Sequence, residues 1–411
     1  MCASPAKRRY RLAIVAPHVV QYHAPLYRKL AEHDALDVHV FYLDRTGVEP
    51  VYDATMGVHI VWDIPLLEGY PHTFVPNWSP LRHGPSSLRR INPRLVRHLV
   101  RGRWDAILIQ GYLAPSDWLA FASGRLSGTP IFFRGEATLR AGSGGWREWL
   151  KTRLLRRAFA WSRAVLFSCR GNREFFLHYG CPEDKLFPIP CAVDNTFFRN
   201  QCDALADELA GIRSELEIPA ELPIVLNTCR HIPNKGHRDL LRAVRQLADE
   251  GIELALVLVG GGPETEALQQ LVQELELENV RFTGFVRQLE IVRYYAVADV
   301  FVLASEYDPS PKVLNEALNF ELPIVCSERP GTAGDVVVDG ENGYLYDYGD
   351  VDRLAAAIRR LLQDRALRER MGRRSLEIAD AWSLEADVEA VRKVFESLNR
   401  PESRTNAQFP E

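Results

Sequence analysis

The chain has 411 residues, more than a single hydrophobic core usually serves, so two domains are expected. A hydrophobic share of 46% beside 25% charged residues excludes a largely disordered chain. No apolar run approaches the ~18 to 20 residues of a spanning helix, and the seven cysteines form neither a C-x-x-C pair nor a metal-ligand pattern with histidine. We therefore expect a cytoplasmic protein with reduced thiols and no metal.

The net charge of -4 conceals an asymmetry between the two halves of the chain. Residues 1–200 carry 27 Lys and Arg against 16 Asp and Glu, whereas the remainder carries 23 against 38. A basic half indicates contact with an anionic surface, either a membrane or a nucleic acid. Because the aromatic and basic interleaving of nucleic-acid recognition modules is missing, we expect no nucleic-acid partner.

Short apolar strand candidates alternate with helical patterns along the chain, which predicts an α/β protein with mostly parallel, helix-covered sheets. The basic start followed by residues 12–16 resembles a signal peptide, but the apolar run is too short, and we interpret it as the first strand. The predicted strands are 12–16, 38–42, 106–110, 130–133, 164–167 and 186–189, then 224–227, 255–259, 280–283, 300–303, 324–326 and 343–345.

The stretch 195–222 separates the two series of strands and contains no strand pattern. It is therefore the predicted linker, with the domain boundary near 194–198. We expect two Rossmann-like domains over 1–195 and 196–380, then a closing helix and tail over 381–411. In the closing region, Asp350-Val-Asp352 is interpreted as the start of a helix rather than as a metal site.

Three features of the second half directly follow predicted strands, where ligands bind in open α/β sheets. Arg230 and Lys235 lie on one such turn, where two cations could cradle a phosphate; solvated surface charges are the alternative. Gly260-Gly-Gly-Pro263 follows the next strand, where it either lets the backbone approach a ligand or makes a tight turn.

The third feature is a predicted helix start. Ser310 is a suitable N-cap and Pro311 a suitable first residue for a helix that runs to about Asn319. Its amino end, together with Lys312, would attract a phosphate. The alternative is an ordinary capped helix with surface carboxylates.

These features resemble the family 4 retaining glycosyltransferases of the GT-B fold. The family hallmark is a Glu, seven intervening residues and a second Glu, which correspond here to Asp308 and Glu316. The resemblance covers about 225 to 395 and extends to Leu322-Pro-Ile-Val-Cys-Ser, Asp339-Gly-Glu-Asn-Gly343, Arg230…Lys235-Gly236 and the glycine turn. The first half matches only in outline.

The resemblance implies two Rossmann-like domains that face each other across a cleft, the first for the acceptor and the second for a nucleotide sugar. It implies that Arg230 and Lys235 bind the donor diphosphate and that Glu316 binds the ribose. Further donor contacts are expected from Gly236, Gly262, Phe285, Val286, Lys312, Val313 and Leu314, with Phe285 and Val286 along the base and the amides of Val313 and Leu314 facing the diphosphate.

Fixed cations and helix amides can stabilise the leaving diphosphate without a metal. We therefore expect no cofactor, only a nucleotide-sugar donor, with uridine the commonest base of the family.

Two departures from the family pattern concern the sugar. Asp308 is one methylene shorter than the usual Glu, and Pro309 and Pro311 offer no N–H, so sugar recognition should differ.

The sequence identifies candidate acceptor-binding residues less specifically than it identifies the donor-binding residues. His18 and His23 lie on the loop after the first strand and could position an acceptor, or could be only polar surface. Glu136, in Arg134-Gly-Glu136 after the strand 130–133, is a candidate for acceptor activation or orientation. A structural ion pair with Arg134 is the alternative.

The basic excess of the first half gathers in two clusters. They comprise Arg82, Arg89, Arg90, Arg94, Arg97, Arg101 and Arg103, and Arg147, Lys151, Arg153, Arg156, Arg157 and Arg163. In the helix that carries the second cluster, a stripe of Trp146, Leu150, Leu154 and Trp161 is predicted to pack on the sheet. The opposite stripe, Leu155 and Phe159, would then touch anionic lipid headgroups.

The sequence thus predicts a metal-independent hexosyltransferase that moves a sugar to a hydroxyl acceptor, with retention, in polysaccharide or glycolipid biosynthesis of the cell envelope. The acceptor could be lipid-linked, at the inner face of the cytoplasmic membrane. The proposed catalytic residues are Arg230, Lys235, Asp308, Glu316 and Glu136. A sugar-nucleotide epimerase of the same fold and a non-catalytic nucleotide-sugar-binding subunit remain as alternatives.

Overall fold

The computed structural model describes residues 9–49, 51–53, 58–60, 62–81, 86–139 and 145–399. The chain divides into two compact units. The first comprises Met1–Glu49, Pro65–Cys191 and Leu384–Glu411, and the second comprises Pro50–Ile64 and Ala192–Ser383. Two of the boundaries between the units lie at 191/192 and 383/384, where the sequence led us to expect 195/196 and 380/381. The assignment of 50–64 to the second unit was not anticipated.

Runs of β-branched and aliphatic residues form the strands, and most central strands are buried along their whole length, as in sheets covered on both faces. In chain order the strands are β1 (Tyr10–Ala16), β2 (Leu36–Tyr42), β3 (Val51–Asp53), β4 (Val58–Ile60), β5 (His72–Phe74), β6 (Ala106–Gln110), β7 (Ile131–Arg134), β8 (Ala164–Phe167), β9 (Leu186–Pro188), β10 (Ile224–Thr228), β11 (Ala255–Val259), β12 (Val280–Gly284), β13 (Val300–Leu303), β14 (Ile324–Ser327) and β15 (Gly343–Tyr346).

The first unit contains a parallel seven-stranded sheet in the order β5-β2-β1-β6-β7-β8-β9. The second contains a parallel six-stranded sheet in the order β12-β11-β10-β13-β14-β15. Each order reverses direction once, at β1/β6 and at β10/β13, which is the doubly wound arrangement. The predicted α/β class is confirmed.

Every strand expected from the sequence is present, with ends within two residues of those predicted. The three short strands that sequence patterns missed are β3 and β4, which pair as an antiparallel hairpin, and β5 at the edge of the first sheet. Each has only three residues, too few to establish an alternating pattern.

Helices cover both sheets. They are α1 (His23–Glu32), α2 (Arg94–Arg101), α3 (Pro115–Ser127), α4 (Gly145–Trp161), α5 (Arg170–His178), α6 (Asn195–Ala204), α7 (Leu209–Glu215), α8 (His237–Asp249), α9 (Thr265–Glu274), α10 (Gln288–Val297), α11 (Lys312–Leu318), α12 (Val351–Gln363), α13 (Arg365–Ala381) and α14 (Leu384–Asn399). Among the described helices, none is both long and apolar enough to cross a bilayer.

The strand-free linker at 195–222 is helical, since it contains α6 and α7, and it belongs to the second unit. Asp350 caps α12 by accepting the N–H of Arg353 at 2.9 Å, which confirms the interpretation of that segment as a helix start. Helix α14 returns to the first unit, where the ring of its Phe395 stacks on that of Tyr10 at 4.7 Å.

Candidate active site

Two loops meet where the strand order of the second sheet reverses. Strands β10 and β13 are parallel neighbours, so their carboxyl ends lie at one edge of the sheet, and the crevice there is the usual ligand site. Asn234, on the loop after β10, fastens the two loops together. Its carbonyl accepts the N–H of Glu306 at 2.9 Å, and its side-chain amide donates to the carbonyl of Tyr307 at 3.2 Å.

This arrangement brings Lys235 and Asp308 into direct contact. The Nζ of Lys235 lies 2.6 Å from Oδ2 of Asp308, and the two side chains are only 13% and 21% exposed. The other carboxylate oxygen of Asp308 accepts the N–H of Ser310 at 3.3 Å. The ammonium is therefore held at the edge of the sheet rather than spread into solvent. Arg230, on the same loop, is exposed.

Helix α11 starts one residue later than predicted. Pro311 is the N-cap residue, with an extended ψ of 108°, and its side chain makes no cap hydrogen bond, so the assignment of Ser310 as N-cap is wrong. The Ser310 hydroxyl instead accepts from Nζ of Lys312 at 2.7 Å. The N–H of Leu314 donates to the Pro311 carbonyl at 3.3 Å, so this amide, expected to face a diphosphate together with that of Val313, already has an internal partner.

Glu316 is buried, and a tyrosine from another helix holds its carboxylate. The hydroxyl of Tyr295, on α10, lies 2.7 Å from Oε2 of Glu316 and 2.7 Å from Oγ1 of Thr228 at the end of β10. The Tyr295 ring is fully buried and stacks on Phe320 at 5.2 Å. Glu316 therefore belongs to a fixed polar chain at this edge of the sheet, and it is not one of the surface carboxylates of the alternative interpretation.

The glycine turn packs against the loop of the two cations. The N–H of His231 donates to the carbonyl of Gly261 at 2.9 Å, and the His231 carbonyl accepts the N–H of Glu264 at 3.1 Å. A Cβ at Gly262 would lie 2.5 Å from the His231 carbonyl oxygen, and its φ of +158° suits glycine. Gly236 has a φ of +68°, and a Cβ there would lie 2.0 Å from the carbonyl oxygen of Ala304. Both glycines therefore allow close approach of two backbones.

Phe285 and Val286, the residues expected along the base, follow β12 and are half-buried. They lie beside the glycine turn, because Gly260 donates its N–H to the carbonyl of Gly284 at 2.9 Å. Sequence reasoning missed a neighbour here. Asp63, from the segment assigned to the second unit, accepts the N–H of Leu289 in the first turn of α10 at 3.1 Å. A carboxylate at the amino end of a helix is favourable. Asp63 is so far from Leu289 in the sequence that this contact could not be predicted.

Two buried histidines support the cation loop, and they make the stability of the second unit depend on pH. Burial lowers the pKa of His231 to about 4 and that of His237 to about 3. An unfolded histidine binds its proton below about pH 6.5. Between these values the unfolded state binds more protons, so stability should fall as the pH drops from 6.5 towards 4, by about 1.4 kcal/mol per pH unit for each histidine.

We therefore expect the thermal unfolding temperature of the second unit to change little between pH 7.5 and pH 6.5 and to fall steadily from pH 6.5 to pH 4.5. The variant His231→Asn should show a smaller fall, because one proton-linked group has been removed. His178→Asn, which changes an exposed histidine of α5, is the matched control and should keep the wild-type slope. Equal slopes for all three proteins would contradict the assignment.

In the first unit, Glu136 lies in a cluster at the carboxyl edge of the sheet. Its Oε1 is 3.1 Å from Nη2 of Arg134, 3.8 Å from Nε2 of His23 and 3.0 Å from Sγ of Cys191. The ion pair with Arg134 is thus present. Burial alone would lower the pKa of Arg134, but electrostatic interactions with Cys191, Glu136 and Asp387 raise that pKa overall, so the guanidinium stays protonated.

His18 is the other histidine of the first loop. Burial, followed by the nearby Arg90, lowers its pKa, so it is neutral at pH 7. Of the two loop histidines, His23 lies at 3.8 Å from the Glu136 carboxylate.

In helix α4 the buried and exposed apolar faces are the opposite of those predicted. Leu155 and Phe159 are fully buried in the core of the first unit, whereas Trp146 and Trp149 are 70% and 60% exposed. The prediction that the Trp146 stripe packs on the sheet is therefore wrong for its amino-terminal part. Guanidinium groups lie over the exposed rings, Arg147 on Trp146 at 5.7 Å and Arg153 on Trp149 at 5.0 Å. Of the other basic cluster, Arg82 lies outside the described residues.

Comparison with known proteins gives two family matches. The model of the glycosyl transferases group 1 matches residues 210–377, and that of a glycosyl transferase 4-like domain matches residues 15–192. A curated relative, the lipopolysaccharide core biosynthesis glycosyltransferase LpsD of Rhizobium meliloti (strain 1021), is 38% identical over 39% of this chain and 45% of its own length. The chain spans about half the length of the curated relatives it matches.

Solved structures agree in fold. A glycosyltransferase from Rickettsia africae ESF-5 superposes with a TM-score of 0.74 at 14% identity, over 96% of this chain and all of the other. Anabaena Alr3699/HepE in complex with UDP gives a TM-score of 0.69 at 18% identity, over 94% of this chain and all of the other. These likenesses place the chain in the fold class of the GT-B glycosyltransferases, with two parallel sheets flanked by helices.

Proposed function

Because this chain belongs to the group 1 glycosyltransferases, with a 4-like glycosyltransferase domain in its first half, we propose that it transfers a sugar from a nucleoside diphosphate sugar to a hydroxyl acceptor. The transfer proceeds with retention of the anomeric configuration. Its product belongs to a polysaccharide or glycolipid of the cell envelope, as the name of the lipopolysaccharide relative suggests. The donor is a UDP-sugar, the class of ligand bound by the structural neighbour HepE.

The contact that carries this proposal is the Lys235–Asp308 pair at the switch point of the second sheet. Cleavage of a bond between a sugar and a nucleoside diphosphate builds negative charge on the leaving oxygen. A fixed ammonium stabilises that charge without reorganisation at the moment of reaction. Lysine has three N–H donors, so Lys235 can keep Asp308 and still donate to a phosphate oxygen. Arg230 supplies a second cation from the same loop.

Asp308 and Glu316 then bind the two ends of the donor. Asp308, held by Lys235 and by the N–H of Ser310, faces the transferred sugar. Glu316 accepts hydrogen bonds from the ribose hydroxyls, and Tyr295 fixes the direction of its carboxylate. Phe285 and Val286 flank the base beyond the glycine turn. Since the cations come from the protein itself, the donor is bound without a metal and no cofactor takes part.

On the acceptor side, Glu136 accepts a hydrogen bond from the attacking hydroxyl and orients it. Its side chain is partly exposed, whereas Arg134, which lies 3.1 Å away, is buried. An ionised carboxylate is an acceptor only, which suits it to receive the hydroxyl proton.

A panel of nucleotide sugars tests the proposal. The donor should raise the thermal unfolding temperature by mass action, and this shift should be lost in Lys235→Ala and kept in Arg242→Ala, an exposed cation of α8. Product should then form only when a lipid-linked or glycan acceptor is added. Turnover of the donor to an isomeric nucleotide sugar without acceptor would identify an epimerase instead. Donor binding without any turnover would identify a non-catalytic subunit.

We also propose that the first unit touches anionic lipid through the exposed start of α4, at the cytoplasmic face of the membrane. Two tryptophans and the guanidinium groups over them combine apolar area with positive charge. Each basic residue near an anionic surface contributes about 1 kcal/mol, and tryptophan favours the headgroup level. A lipid-linked acceptor would be met at this surface.

Vesicle sedimentation checks this contact. The wild type should bind vesicles that contain anionic lipid more strongly than neutral ones, and the double variant Trp146→Ala/Trp149→Ala should lose most of that binding, at least about 10-fold. Trp78→Ala removes a tryptophan of the first unit that is exposed to a similar degree, so it is the matched control and should bind as the wild type does. Equal binding by the double variant and the control would exclude α4 as the membrane contact.

A further inference from the structure

A histidine, a carboxylate and a thiol converge at the carboxyl edge of the first sheet. His23 begins α1, Glu136 follows β7 and Cys191 follows β9. One ligand atom from each lies within 4.8 Å of the other two. Imidazole nitrogen, carboxylate oxygen and thiolate sulfur are the groups that bind Zn²⁺ in proteins. We propose that His23, Glu136 and Cys191 form a binding site for a borderline-soft divalent cation, with Zn²⁺ as the matching probe.

The backbone of Cys191 is fixed in a way that sets the direction of its thiol. Its φ is +58°, a left-handed conformation that is unusual for a residue other than glycine. Its N–H donates to Oδ1 of Asp387 at 2.7 Å, and Asp387 is fully buried on α14. Such a conformation is strained and persists only where the surroundings impose it, often at ligand clamps. The thiol therefore points at Glu136 before any ligand arrives.

The charges around the cluster favour a cation. Two carboxylates, Glu136 and Asp387, act on the guanidinium of Arg134. When Zn²⁺ binds, the Cys191 thiol loses its proton to solvent and becomes a thiolate, which adds a second negative ligand beside Glu136. The positive charge of Arg134 repels the cation, but the negative charge of Asp387 offsets this repulsion. A guanidinium has no acceptor lone pair and so cannot itself become a ligand.

The cluster is also accessible. The side chains of His23 and Glu136 are 19% and 30% exposed, so a hydrated cation can enter and keep a water as a fourth ligand. The spacing of Cys and His along the chain gave no sign of this, because the three residues come from distant segments. Their approach depends on the order of the parallel strands.

Zinc binding by the full chain tests the site. The purified protein is incubated with Zn²⁺ and dialysed, its zinc content is measured by mass spectrometry, and the Kd is obtained by competition with a chromophoric chelator. We expect one zinc ion per chain. Both Cys191→Ser and His23→Gln should weaken the affinity by at least about 10-fold. Cys202→Ser, which removes a half-exposed thiol of the second unit, is the control and should not change it.

The absorption spectrum of bound cobalt is an independent test of the site. Co²⁺ bound to the wild type should show a thiolate charge-transfer band that is absent in Cys191→Ser and present in Cys202→Ser. If Cys191→Ser fails to fold, His23→Gln still tests zinc binding. This second variant changes a side chain at the start of a helix and leaves the strained backbone at Cys191 untouched. Absence of stoichiometric zinc, or unchanged zinc affinity in His23→Gln, would overturn the proposal.

Occupation of the site would have a consequence that rests on the proposed function. Zinc would draw Glu136 away from the acceptor hydroxyl, so Zn²⁺ should slow sugar transfer and a chelator should restore it. Zinc content and the cobalt spectrum need no substrate. A failure of the metal site can therefore be told apart from a failure of the transferase assignment.

Discussion

Replacement of Lys235 by alanine is expected to lower kcat/KM for the nucleotide sugar by about 10²- to 10³-fold, the usual loss when one preorganised donor to a developing anion is removed. The effect should be large because Lys235 is mostly buried and already fixed at 2.6 Å from Asp308. The variant also leaves the Asp308 carboxylate without its cation, next to the position proposed for the diphosphate. Repulsion between the two anions adds to the loss.

Steady-state kinetics with the donor found in the panel would measure this effect. Arg242→Ala is the control, because that cation is exposed on α8 and pairs with Asp239 at 3.1 Å, and it should keep activity within about twofold. The double variant Lys235→Ala/Asp308→Asn should recover part of the donor affinity lost in Lys235→Ala. Activity of Lys235→Ala within threefold of the wild type would remove the ammonium from the mechanism.

The meeting of the two loops of the proposed donor site could be predicted from the sequence, because these loops follow strands that hydrophobic runs identify. Once β10 and β13 are parallel neighbours, the loops after them must meet, and Lys235 reaches Asp308. The exact helix start could not be predicted. Ser310 and Pro311 both fit the first turn, and in the structure the Ser310 hydroxyl accepts from Lys312 instead of capping the helix.

The first unit shows where a helical pattern is ambiguous. Helix α4 has apolar residues on two sides, so periodicity alone could not identify the buried one. The structure buries Leu155, Ala158 and Phe159, where the small alanine allows close packing on the sheet. The larger tryptophans at the start of the helix remain outside. Volume and neighbours, which a hydrophobic pattern does not contain, decide between the two faces.

Contacts between segments that are distant along the chain could also not be predicted from the sequence. Asp387 binds the backbone of Cys191 across 196 positions, and Asp63 binds that of Leu289 across 226. Nothing in the local pattern of either aspartate distinguishes it from a surface carboxylate. Arg134-Gly-Glu136 was found because it directly follows a strand, whereas its partners Cys191 and Asp387 required the folded chain.

Glu316→Ala is expected to raise the KM or Kd for the nucleotide sugar by about 10- to 100-fold, since a hydrogen bond to a charged group contributes about 1.5 to 3 kcal/mol. The same change should lower thermal stability, because the buried Tyr295 hydroxyl loses the acceptor that lies 2.7 Å away. Glu316→Gln separates the two effects. Its side chain still offers an oxygen to Tyr295, so stability should be nearly retained, but the negative charge proposed to bind the ribose hydroxyls is gone.

Tyr295→Phe completes the comparison by releasing the carboxylate without removing it. This variant should weaken donor binding less than Glu316→Gln does, while its unfolding temperature falls because Thr228 also loses its partner. Isothermal titration with the donor and thermal unfolding of the three variants check these expectations together. If Glu316→Gln binds the donor as tightly as the wild type, then Glu316 only supports the packing of α10 against the end of β10. The ribose would have to be bound by another side chain.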